Sequence, residues 1–170
     1  MNLRKKVHRS VSEDLYDQPG HLLRRAHQIA LGMFAEEVGN DLTPKEFAIL
    51  RMIREKPQVD QVSLARFIGI DTSSAALTAA RLEKRALITR VVSSTDRRLL
   101  QLRLTPAGEE VLNSTVSGVH TMRERMLSRL SENEQEIFMT LLRKFVNLNN
   151  EESRAPVRAI SKPDMKKMRR

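Results

Sequence analysis

Arg81, Lys84, Arg97 and Arg98 stand in a stretch, Gln61 to Arg103, that carries eight Lys/Arg against three Asp/Glu. Cationic side chains gathered this way do one kind of chemistry well: they neutralise phosphates and fork onto the acceptor edge of guanine. The 170-residue chain has a formal charge of +9, and residues 151–170 add seven Lys/Arg against three Asp/Glu, whereas residues 20–150 outside the basic stretch carry a slight acidic excess. A merely solvated surface would spread its charge. Concentration into one stretch and a tail is the pattern of a binding face for nucleic acid.

A second polar set, His21, Arg24, Arg25, His27 and Gln28, sits among Leu22, Leu23, Ala26 and Ile29. Guanidinium and imidazole groups beside apolar side chains suit an aromatic carboxylate or the phosphates of a coenzyme A thioester. The same residues also fit an amphipathic helix whose cations are solvated or paired with a partner subunit, since long basic side chains commonly lay their stems on apolar surface.

Other chemistries find no residues to carry them. There is no Cys in the sequence, which removes disulfides, thiolate metal sites and cysteine nucleophiles. His8, His21, His27 and His120 lack the His-x3-His spacing of a helical metal site. No Gly-x-Ser-x-Gly elbow, phosphate-binding glycine loop or dinucleotide fingerprint occurs. The expectation is a protein without cofactor, metal or catalytic residue, and not an enzyme. No apolar run approaches the ~18 residues of a membrane span, and no signal-type apolar stretch follows the basic N-terminus; a cytoplasmic protein with no membrane partner is expected.

The elements that must position these residues are mostly helices. One Tyr, five Phe and no Trp, with abundant Leu, Ile, Ala and Met, favour a mainly α domain. Apolar residues at helical spacing run from His21 to Val38. Thr43-Pro44-Lys45-Glu46 is a helix start with cap, N1 proline and capping-box glutamate. Asp60 opens a short helix with Val62, Ala65 and Ile68 on its buried side and Gly69 past its end. Asp71-Thr72-Ser73 opens another, from about Ser73 to Arg85, so that two helices meet at a tight glycine turn. Leu87–Val92 and Leu99–Leu104 read as a hairpin. Helices from Thr105-Pro106 to about Ser131, and from the Ser131-Glu134 capping box to Leu148, complete the domain.

The organisation that follows is an N-terminal arm (1–19), a winged helix-turn-helix domain (20–150) and a basic, disordered tail from Glu151. Within the domain, residues 43–104 form the DNA-binding module and residues 20–40 and 105–150 supply dimerisation helices. If Ala75, Thr78, Ala79 and Leu82 face the core, then Ser73, Ser74, Ala76, Leu77, Arg81 and Lys84 face outward, toward the major groove. The serines can bond phosphates or merely cap the helix, Ala76 and Leu77 can touch a thymine methyl, and Arg81 can fork onto guanine. Arg97 and Arg98 stand at the hairpin tip, where a cationic side chain can enter a narrow minor groove.

The string Asp96-Arg97-Arg98, five residues, Leu104-Thr105, with Gly108 three further on, resembles the wing and following helix start of the MarR family of winged-helix regulators. The resemblance covers about Pro19 to Asn150. It implies that Arg98 is the arginine that enters the minor groove and that Asp96 orients it. Pro19-Gly20-His21-Leu22-Leu23-Arg24-Arg25-Ala26-His27-Gln28-Ile29-Ala30 is similar to the first helix of the branch that controls breakdown of aromatic acids, with free acids or their coenzyme A thioesters as inducers. Two positions depart from the pattern: Ala86 replaces the glycine usual after the recognition helix, at a cost on the order of 1 kcal/mol, and Leu77 replaces a basic residue.

Helix 1 and the last two helices carry more apolar residues than a small DNA module can bury, Phe138, Leu141, Phe145 and Leu148 among them, and a twofold dimer is the default use for such a surplus. Its two recognition helices would lie about 34–36 Å apart, matching a palindromic operator in double-stranded DNA. A ligand wedged between helix 1 and the DNA-binding module would alter that spacing. The expected function is a ligand-responsive regulator of transcription, a repressor of an aromatic-compound catabolic operon released by an aromatic acid or acyl-CoA inducer. The alternative is a winged-helix module that binds another protein and never DNA.

Overall fold

A computed structural model describes residues 15–92 and 97–158. Its element order is α1 (Pro19–Val38), α2 (Pro44–Glu55), α3 (Gln61–Ile68), α4 (Thr72–Lys84), β1 (Ile88–Val92), β2 (Leu100–Leu104), α5 (Pro106–Leu127) and α6 (Glu132–Leu148), with single 3-10 turns at Leu15–Asp17 and Asn150–Glu152. This is the mainly α winged helix-turn-helix expected from the sequence.

The local chemistry that starts and stops these helices is the chemistry read from the chain. Thr43 Oγ1 accepts from Glu46 N at 3.2 Å while Thr43 N donates to Glu46 Oε2 at 2.8 Å, which closes the capping box on α2. Asp60 accepts from Ser63 N, and Asp71 from Ser74 N. Gly69 ends α3 at φ +69°, a conformation glycine enters without a Cβ penalty. Ala86 ends α4 at φ +57°, and Leu87 N donates to Leu82 O and Ala86 N to Glu83 O. These two bonds are a Schellman cap, built here on alanine where glycine is the usual residue.

Ile49, Leu50, Ile53, Leu64, Leu82, Ile88, Leu102 and Leu112 are fully buried. They come from α2, α3, α4, both strands and the first half of α5, so the core lies inside the DNA-binding module and the helix that leaves it. The strands pair antiparallel from Ile88 opposite Leu104 to Val92 opposite Leu100. Val59 O also accepts from Leu102 N, and Asp60 bridges Gln101, giving β2 a partner on its other edge. Gly108, near the start of α5, lies so close to the joint between α4 and β1 that a Cβ there would sit 2.0 Å from Leu87 O. Any side chain at 108 would push α5 off the module.

Three expectations need correction. Val62 is exposed and Leu64 is buried on α3: in so short a helix the face is set by the turn that aims it at α2, not by a three-residue spacing of apolar types. α5 stops at Leu127 rather than near Ser131, closed by a turn in which Leu130 N donates to Leu127 O. The tail expected to be disordered from Glu151 has a defined path through Arg158, and residues 159–170 lie outside the described residues. Residues 150–158 fold back onto the end of α3, with Arg158 N donating to Arg66 O at 3.1 Å.

α1 packs along α5, and at Gly118 the two come so near that a Cβ built there would lie 2.3 Å from Glu37 O. Arg125 Nη1 donates to Glu37 Oε1 at 2.8 Å and also to Glu36, tying the far ends of both helices. α6 buries no residue within the chain. Its Ile137, Phe138, Leu141, Phe145, Val146 and Leu148 are all exposed.

Candidate nucleic-acid interface

Helix α4 is fixed from beneath by Ala75, Thr78, Ala79 and Leu82, all buried, and Thr78 Oγ1 donates back to Ser74 O at 2.8 Å. Its opposite face therefore cannot rotate inward. Ser73, Leu77, Arg81 and Lys84 stand on that face in solvent, with Leu77 57% exposed. Ser74 and Ala76, placed outward by the sequence reading, are half-buried. The cap of α4 is Asp71, whose carboxylate is held below its ordinary pKa by hydrogen bonds from the Ser74 backbone and side chain, so Ser74 is engaged at the helix start. Arg81 and Lys84 have no side-chain hydrogen bond or ion pair among the described residues, which leaves two cations at the C-terminal end of α4.

The wing is tied to α4 by one pair that the sequence reading missed. Arg90, on β1, directs Nε and Nη2 at Glu83 Oε2, with Nε at 2.7 Å. The two hydrogen bonds depress the Glu83 pKa, and a two-pronged guanidinium fixes direction as well as distance. Glu83 follows Leu82 on the inner edge of α4, and the pair holds the hairpin at a set angle to the recognition helix. The available signal was the charge pair seven residues apart across a helix end and a strand start. Arg97 and Arg98 lie exposed in the turn that leads into β2; Asp96 falls outside the described residues.

Of the helix-1 set, His21, Arg24 and Arg25 line an open groove of about 610 Å³ with Tyr16 and Leu22. Tyr16 meets the His21 ring edge-on at 5.4 Å, an aromatic wall the sequence reading did not include. Gln28 Oε1 accepts from Arg24 Nη1 at 2.9 Å and from Arg25 Nη1 at 3.2 Å, holding both guanidinium groups on one side of the helix. His27 is exposed outside this lining. Among the described residues none of 43–104 lines the groove, so a ligand there touches α1 and the turn before it, not the described part of the DNA-binding module as expected.

Two helices meeting at a glycine turn, with the second exposed and followed by a braced basic hairpin, define a winged helix-turn-helix DNA-binding protein. The family is also clear. The MarR family model matches residues 42–100, and the transcriptional regulator HosA of Escherichia coli O127:H6 is 35% identical over 127 residues, 75% of this chain and 93% of that protein. The chain belongs to the MarR family; it is a transcriptional regulator and not an enzyme. The crystal structure of the PcaV transcriptional regulator of Streptomyces coelicolor with its natural ligand superposes at a TM-score of 0.75 with 30% identity, over 79% of this chain and 95% of that one. BpsR of Bordetella bronchiseptica, whose structure describes regulation of DNA binding by 6-hydroxynicotinic acid, superposes at 0.73 with 26% identity, over 79% and 97%. Among the described residues no helix is long and apolar enough to cross a membrane.

Proposed function

We propose that this regulator is a homodimeric repressor that grips a palindromic operator and is released by an aromatic acid or its coenzyme A thioester. The observation that carries the reading is the division of labour on one chain. A basic, exposed recognition surface (Ser73, Leu77, Arg81, Lys84, Arg97, Arg98), with Ser74 and Ala76 half-buried beside it, stands at one end. A helical layer (α1, α5, α6) stands at the other, and its exposed apolar side chains, among them Leu22, Leu23 and Ile29 on α1 and Phe138, Leu141 and Phe145 on α6, find no cover within the protomer.

A second copy is the natural cover for that layer, because the same face on two protomers is self-complementary about a twofold axis. The groove at His21, Arg24 and Arg25 opens on α1, within that layer. Its cations suit a carboxylate or phosphate and Tyr16 suits an aromatic ring. BpsR supports the ligand class, since 6-hydroxynicotinic acid is an aromatic carboxylic acid. Occupancy of the groove would reset the angle between α1 and its neighbours, and so the spacing of the two recognition helices. The thermodynamics then require reciprocity: a ligand that lowers operator affinity by some factor has its own affinity lowered equally by the operator.

The test is a gel shift on a duplex from the region upstream of the protein's own gene, followed by titration with benzoate, 4-hydroxybenzoate and their coenzyme A thioesters. Release is expected with at least one of these compounds. Arg24→Ala and Arg25→Ala should blunt release while leaving DNA affinity within a few-fold. If no compound binds by calorimetry, or if both variants lose DNA binding with ligand affinity intact, the inducer reading fails.

A further inference from the structure

Past α6 the chain makes a closed turn beside the recognition helix. Asn150 clamps it with its side-chain amide: Oδ1 accepts from Val157 N at 2.8 Å and Nδ2 donates to Val157 O at 3.1 Å. Arg158 N then bonds to Arg66 O on the last turn of α3, and Val157 Cγ2 comes within 2.8 Å of where a Cβ on Gly69 would lie. Residue 69 is therefore glycine for two reasons, its positive φ and this contact. The turn walls a groove of about 600 Å³ with Arg66, Ile70, Asp71, Thr72, Arg154 and Arg158 on its sides. A neighbouring groove of about 390 Å³ shares Ile70, Asp71 and Arg154 and adds Lys45 and Ser74.

The charges in these grooves are unequal in their commitments. Arg158 pairs with Glu151 at 3.0 Å, and Asp71 is occupied in capping α4. Arg66 and Arg154 are exposed and have no side-chain hydrogen bond or ion pair among the described residues. Glu152 is the remaining acid of the turn. The sequence that follows, 159–170, has five Lys/Arg against one Asp.

We propose that this C-terminal turn is an additional DNA-contacting element, in which Arg66 and Arg154 hold a backbone phosphate of duplex DNA at the flank of the major groove that α4 enters. The inference rests on the DNA-binding reading above. Its geometry is continuous with that reading, because both grooves share Asp71 with the start of α4. A helix whose outer face enters a major groove has the sugar-phosphate walls of that groove beside its ends. Such contacts position the protein and carry no base preference, so they strengthen binding to any sequence alike.

The full chain is tested against Arg66→Gln/Arg154→Gln and the charge-keeping Arg66→Lys/Arg154→Lys, with fluorescence anisotropy on a random-sequence 30-bp duplex at several NaCl concentrations between 50 and 200 mM. Leaving one phosphate without its cation should flatten the slope of log affinity against log salt by about 0.9, equivalent to roughly eightfold in affinity at 0.1 M. The Gln variant should show this flattening and the Lys variant should keep most of the parental slope, with equal melting temperatures because both side chains are exposed; if the double Gln variant melts early, Arg154→Gln alone is read in its place. A parental slope in the Gln variant, or an equal flattening in the Lys variant, overturns the proposal while DNA binding by the parent stands. Absence of binding by the parent itself, on this duplex and on the upstream fragment, overturns the DNA-binding reading and this one with it.

Discussion

Replacing Ala86 with glycine should stabilise the protein. Ala86 sits at φ +57°, in the left-handed region where an L-residue pays roughly 1–2 kcal/mol through contact of its Cβ with the following carbonyl. Glycine removes that strain but enlarges the freedom of the unfolded chain, which returns about 0.4–1 kcal/mol. The net expectation is a gain of about 0.5–1 kcal/mol, equivalent at this chain length to a rise in Tm of about 1–4 °C. The two Schellman hydrogen bonds, Leu87 N to Leu82 O and Ala86 N to Glu83 O, involve only backbone and survive the change. Thr105 Oγ1, which donates to Ala86 O at 2.7 Å, loses nothing either. Thermal melting followed by circular dichroism, with urea titration as a second reading, gives the answer: the urea midpoint should rise without a change in slope. Operator affinity should hold, since residue 86 lies beyond the end of α4. A Tm that stays or falls would refute the reasoning, for it would mean that the Ala86 methyl contributes more by packing than its conformation costs.

Phe138→Glu and Leu141→Glu should give folded monomers rather than unfolded chains, because Leu141 is 59% exposed within the protomer and the charge is unfavourable only when a partner buries it; sedimentation at several concentrations, with circular dichroism on the same samples, checks both parts. Arg98→Ala should weaken operator binding by about 1–3 kcal/mol with the fold intact, and an unchanged gel shift at physiological salt would remove the wing from the interface. Asp71 and Glu83 have carboxyl pKa values below their ordinary 3.8 and 4.5 in the folded protein, so their contribution is present above those values and is lost as pH falls through the lower, folded ones. Melting temperature should therefore decline below about pH 4.5, more weakly in Glu83→Gln, and identical pH profiles for parent and variant would show that the Arg90 pair adds nothing to stability.

The helix starts were legible because capping is local. Thr43 with Glu46, Asp60 and Asp71 each act within three residues, and a pattern confined to one turn cannot be overruled by distant packing. The inward face of α4 was legible for a related reason: Ala75, Thr78, Ala79 and Leu82 repeat at the period of the helix over more than two turns, which puts all four on one side of it. The site residues read outward from that period were harder to separate, and Ser74 and Ala76 turned out half-buried, because periodicity gives a direction and not the depth at which a neighbour covers it.

Sequence alone therefore determined the class: helices with their caps, a glycine turn between two of them, a basic hairpin, and a surplus of apolar residues on α6 that no small module could bury. Tertiary structure alone decided which distant residues meet. Gly118 admitting α1 against α5, Arg125 reaching Glu36 and Glu37, and the turn after α6 settling against Arg66 and Gly69 all depend on how elements cross. Crossing is fixed by side-chain volume at contacts far apart in the chain, and at Gly118 by the absence of a side chain. No periodicity or capping rule records such contacts, since each is written half in one segment and half in another.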